Sequence, residues 1–182
     1  MTQELIDLRN SIVEQRYIDA LAIVDELEGM SKKAILRQIK SFLKVLLIHL
    51  IKNQIEKRLT NSWVASIRNS LIEIQDINLK ENKKSYYINQ DKWDSWLEDE
   101  IELAIADASL EVMNGIYNEF QLAEIVNRNE VTSIARNFLQ LTHLYSVKEL
   151  PKTIVELLIQ LPGGEDVAGP IVQTIFVRRI SM

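Results

Sequence analysis

The run Phe42-Leu43-Lys44-Val45-Leu46-Leu47-Ile48-His49-Leu50-Ile51 decides the fold. It lies inside a longer stretch, Ser31 to Trp63, that reads as one long helix, a short connection at Thr60-Asn61-Ser62, and the start of another helix. Ile35, Ile39, Phe42, Leu46 and Leu50 recur at three- to four-residue spacing and form an apolar stripe, which Leu36, Leu43 and Leu47 widen. Lys33, Arg37, Lys40 and Lys44 form a basic stripe roughly 130° away around the same helix, at 100° per residue. From Val45 to Ile51 every position except His49 is apolar, and a helix apolar on all sides is normally buried on all sides. The first half of this central helix, near residues 31–58, is therefore expected at the surface and the second half inside the core.

Upstream, Thr2 can cap a first helix with Leu5, Leu8 and Ile12 on its apolar face. Asp19 can cap a short second helix with Leu21, Val24 and Leu27 inward, ended by a left-handed Gly29 before Ser31 caps the central helix. Downstream, Asn61 or Ser62 can cap a helix that carries Val64, Ile67, Leu71 and Ile74 and ends near Asn78. Residues 80–89 are polar and read as an exposed connection, so a subdomain break would fall near 80–90. Asp91 can cap a helix to about Tyr117, with Trp93, Leu97, Ile101, Ala104 and Ala108 on one face. A short helix is expected between Phe120 and Val126, and another from Asn129 or Thr132. A last helix opens at Pro151 and stops at Leu161-Pro162-Gly163-Gly164. The fold expected is an all-α single-domain bundle of about six to seven helices over residues 1–163, with a strand-like or flexible tail at 164–182.

Composition narrows the class. The chain has 182 residues, 47% of them hydrophobic and 26% charged, enough for a real core. It has no cysteine, which excludes disulfides and thiolate metal sites and favours a reducing compartment. Met1-Thr2-Gln3-Glu4 lacks the basic-then-apolar start of a signal peptide. The apolar run Val45 to Ile51 is too short to span a bilayer. A cytoplasmic protein with no membrane role is the expectation.

The net charge is −5, a poor default for nucleic-acid binding, yet the charge is segregated. Between Ser31 and Arg58 there are eight Lys or Arg against Glu56 alone; between Asp91 and Glu111 there are eight acidic residues against Lys92 alone. The two helices either attract each other within the fold, the favoured reading, or present opposed faces to partners. The stripe Lys33, Arg37, Lys40, Lys44 could follow a phosphate backbone, but it lacks interleaved aromatics.

Enzymatic motifs are sparse. His49 is read first as a core or rim histidine, since a site needs several converging groups. Neither His49 nor His143 follows a Glu three residues earlier, against the dinuclear-metal bundle class, and no His-Glu-x-x-His motif occurs. Only Glu98 and Glu102 of the acidic run share a helix face, which reads as solvated rather than metal-binding. Gly163-Gly164 suits a turn, not a nucleotide cradle. No cofactor or metal is expected.

Three segments in order carry a family resemblance: Val24-Asp25-Glu26-Leu27-Glu28-Gly29-Met30-Ser31-Lys32-Lys33, then Leu46-Leu47-Ile48-His49-Leu50-Ile51-Lys52, then Ser62-Trp63 with Ile67-Arg68. Over roughly residues 8–74 the chain resembles domain-of-unknown-function family 29. Asn53 stands where members usually carry Trp, and the resemblance fades from Asn78 onward. It implies an all-helical fold, no established activity and no catalytic residues to carry over. It singles out His49, Lys52, Ser62 and Trp63 as motif positions. The function expected first is a non-enzymatic protein-interaction or regulatory module whose partner is protein, self or other. Nucleic-acid binding through the basic stripe comes second. An enzyme using His49, Lys52 and a carboxylate near Asp25 and Glu28 comes third.

Overall fold

Helix follows helix from one end of the structure to the other. It is a computed structural model that describes residues 2–167. Eight α-helices occur among them: α1 (Gln3–Val13), α2 (Tyr17–Glu56), α3 (Asn61–Asn78), α4 (Trp93–Ser109), α5 (Glu119–Ile125), α6 (Arg128–Leu144), α7 (Leu150–Leu158) and α8 (Gly164–Val167). No β-strand occurs among the described residues, and the all-α class expected from the sequence holds. Of the strand-like or flexible tail expected at 164–182, residues 164–167 are helical instead, and 168–182 lie outside the described residues. No described helix is long and apolar enough to cross a membrane.

The long helix begins earlier than its pattern suggests. Asp19, Gly29 and Ser31 do not punctuate it; α2 runs unbroken for 40 residues. Gly29 is helical rather than left-handed. A glycine inside a helix costs about 1 kcal/mol relative to alanine. Good helix formers on both sides, from Leu27 and Glu28 to Lys32 and Lys33, absorb that cost.

The chain divides into two compact units, residues 1–38 and 39–182. In the first, α1 and the start of α2 are joined by a three-residue turn in which Gln15 takes a positive φ of 58°. Arg16 holds this turn by reaching both Glu14 and Asp19. The apolar faces read from the spacing are present but uncovered. Ile18 is 84% exposed and Leu21 64%, with Leu5, Ile12 and Val24 exposed as well. Leu21 and Val24 were expected inward; the unit has too little surface of its own to cover them, and it buries only Ser11 and Ala20 fully.

The second unit has the core. α4 packs on α5 and α6, α3 on α6 and α7, and α6 on α7. Leu43, Leu46, Leu47 and Ile51 of α2 are fully buried, as are Ile67, Leu71 and Ile74 of α3, Trp93, Leu97 and Ile105 of α4, and Phe138 of α6. Each such side chain contributes about 1.5–3 kcal/mol by leaving water. The expected core-penetrating end of α2 is realised on the side of Leu46, Leu47, Leu50 and Ile51, while Val45 and Ile48 are only half-buried. Thr60, one residue before the expected cap, accepts a hydrogen bond from the Trp63 amide at 3.2 Å and starts α3. Asn127 likewise caps α6 ahead of Asn129. Helix α4 stops at Ser109 rather than near Tyr117, because Met113, Asn114 and Gly115 all take positive φ. The polar connection 80–89 closes on itself through a Leu79–Tyr86 bridge, and the Asn78 side chain pairs with the Ile88 backbone.

Candidate functional site

The last two turns of α2 and the first of α3 bring three of the four motif residues together. The Lys52 ammonium lies 4.6 Å from the centre of the Trp63 ring, and the His49 ring centre is 6.2 Å from it. The Arg58 guanidinium is also over Trp63, at 4.9 Å. Such cation–ring contacts are strongest on indole and when desolvated, and Lys52 is only 7% exposed. Ser62 is exposed, and its hydroxyl contacts that of Thr60 at 3.0 Å, so it belongs to the helix start.

Each charge in this group is answered. Lys52 donates to Glu111 at 2.6 Å, and Arg58 donates to Glu56 at 2.6 and 2.7 Å. The buried Glu56 carboxylate also accepts the Met113 amide at 3.0 Å, holding the left-handed turn after α4 against the end of α2. Asn53, where the resembled family has Trp, donates to the carbonyls of Arg58 (2.9 Å) and Pro162 (2.8 Å). Gln54 binds the backbone of Asn127 as both donor and acceptor and reaches Glu130 at 2.7 Å. Four polar residues within five positions thus tie the end of α2 to four other segments.

Next to this group, Lys52, Arg58, Trp63, Glu111, Met113 and Ile116 help line an open cavity of about 630 Å³. His49 is not among its walls. The Nδ1 atom of His49 is buried without a hydrogen-bond partner. Burial first, and then the neighbouring Lys52 ammonium, lower the His49 pKa to about 4, while Glu111 opposes the shift. The imidazole is therefore neutral near pH 7. The carboxylate that acts on it is Glu111. His143 sits elsewhere, accepting from the Trp93 indole at 2.9 Å, and burial lowers its pKa too.

The basic stripe splits. Lys40 pairs with Glu100 at 2.6 Å and Lys44 with Asp107 at 2.8 Å, while Lys33 and Arg37 are exposed residues of the first unit. With Lys52–Glu111 these pairs follow the same chain order on both segments. The opposed charges noted in the sequence meet within the fold. Glu102 of the acidic run takes a two-point contact from Arg128. Among the described residues no three His, Asp or Glu side chains gather as a metal site. Sequence reasoning did not single out Glu56, Arg58 and Glu111; their charge was visible, but the register that pairs them is tertiary.

No curated protein and no solved structure matches the chain. Residues 2–131 match the family described as "Domain of unknown function DUF29", well beyond the three segments that first suggested it. With more than two-thirds of its length inside that match, the chain belongs to the DUF29 family.

Proposed function

We propose that this chain is a non-enzymatic protein-interaction module whose contact face is the apolar surface of residues 3–30. The observation that carries this reading is the exposure of Ile18, Leu21 and Val24, three residues at helical spacing on α2. Contiguous exposed apolar surface rimmed by charge marks interaction sites. The competing readings have less support. Two of the four stripe lysines and arginines needed for a nucleic acid are held by Glu100 and Asp107. His49 is turned to the interior at Nδ1, and Lys52 is already engaged by Glu111.

Photo-crosslinking side chains placed at Ile18 and Leu21 in the living host test the proposal, with the exposed Lys83 as a control. Protein adducts at the first two positions and not at the third are expected. An absence of adducts at both positions would overturn it.

A further inference from the structure

The open cavity beside Trp63 is lined by two cations whose donors are only partly used, and its walls belong to the second unit alone. A lysine ammonium carries three N–H donors and a guanidinium five. Lys52 gives one to Glu111, and Arg58 meets Glu56 through Nε and Nη2. The rest of the Lys52 ammonium and the Arg58 Nη1 have no acceptor among the described residues. The two carboxylates are not equivalent. Glu56 is 5% exposed at its side chain, and its two oxygens are taken by the Met113 amide and by Arg58. Glu111 is 53% exposed and gives a single oxygen to Lys52. Glu111 can therefore swing into solvent while Glu56 stays. The same walls carry Leu110, Met113 and Ile116, apolar side chains left open to solvent. The left-handed turn that carries the last two is fixed by the Met113 amide bond to Glu56.

We propose that this cavity binds a small amphipathic monocarboxylate, whose carboxylate displaces Glu111 from Lys52 and whose apolar body lies against Leu110, Met113 and Ile116. Charge selects the class. With Glu111 withdrawn, Lys52 and Arg58 are balanced by Glu56 alone, which leaves one positive charge. A single carboxylate neutralises it, and a phosphate dianion overshoots. Geometry agrees, because the position beside Lys52 is already filled by a carboxylate at 2.6 Å. The Lys52 ammonium is buried against the Trp63 ring, where an unanswered charge is costly, so some anion must hold it. The volume, about 630 Å³, falls within the roughly 300–1,000 Å³ of small-molecule sites. The apolar walls let a ligand compete with Glu111, which brings no hydrocarbon to cover them, whereas the ligand's body gains from leaving water there.

Isothermal titration calorimetry of the full chain with sodium octanoate tests this. Octanoate is expected to bind. Acetate, which lacks the apolar body, and octanol, which lacks the charge, should each bind at least tenfold more weakly. Glu111→Gln removes the competing carboxylate from an exposed position and should bind octanoate at least tenfold more tightly than the wild type. Ile116→Ser, also at an exposed position, should bind it at least threefold more weakly with unchanged helix content by circular dichroism. The indole N–H resonance of Trp63 should move on titration while that of Trp93 holds still. Absence of binding to both the wild type and Glu111→Gln at millimolar octanoate would overturn the proposal, as would equal affinity of these two chains. Octanol binding as tightly as octanoate would do the same. An unmoved Trp63 resonance would place octanoate elsewhere and remove this site, and tighter binding of octyl phosphate would overturn the monocarboxylate class.

Discussion

His49 is the residue whose chemistry moves furthest from its reference. In the folded chain its pKa is about 4, against about 6.5 for a free imidazole. Between those values the unfolded chain binds a proton that the folded chain refuses, so stability is lost as pH falls from about 6.5 toward 4. One pKa unit corresponds to about 1.4 kcal/mol, and partial exposure of the ring reduces the full effect to on the order of 1–2 kcal/mol. Urea denaturation at pH 7.5 and pH 4.5 should show this drop, and His49→Leu should shrink it. An identical pH response in the variant would show that the acid sensitivity lies elsewhere. Glu100 gives a second test, because its carboxylate is 5% exposed and answered by Lys40. Lys40→Ala should cost on the order of 2 kcal/mol by stranding that charge. Adding Glu100→Gln should recover most of the loss; a double variant no more stable than the single would point instead to the lost contact of the Lys40 ammonium with the Trp96 ring, 5.3 Å from its centre. His49 stood out in the sequence as the one polar residue of an apolar run. Its neighbour Glu111 did not, since 62 positions separate them and only the packing of α4 brings them together.

Elements were read more securely than their ends. The three- to four-residue periodicity placed α3, α4, α6 and α7, and the Pro151 and Gly163 punctuation held at one end of the chain. The same logic failed at Gly29 and Ser31, because punctuation residues bias a backbone by only about 1 kcal/mol, and a continuous helix on both sides outweighs them. Gly29→Ala follows as a direct test. In an unbroken helix it should stabilise the chain by about 1 kcal/mol in thermal denaturation. A loss of stability would mean that position 29 needs the left-handed geometry of a helix terminator. The faces of α1 and of the first turns of α2 were also legible as apolar, yet their burial was not. A hydrophobic stripe specifies that something covers it and leaves open which chain that is.

At the scale of the whole molecule, the two units differ in how far their contacts reach. The first is built from neighbours along the chain; the second closes through Lys40–Glu100, Lys44–Asp107 and Lys52–Glu111. That ladder has a consequence in time as well as in space. On a ribosome adding about 5–20 residues per second, Leu43 to Ile51 emerge several seconds before the helix that neutralises their flanking lysines exists. For that interval the most apolar run of the protein has no core to enter. Chains stalled with residue 90 just emerged should be cut readily by protease within residues 39–56, and chains stalled with residue 167 emerged should resist. Equal protection at both lengths would mean that α2 and α3 shelter the run unaided. The window also makes this helix the natural client of any chaperone that waits at the exit, and its length is set by the distance along the gene from Lys52 to Glu111.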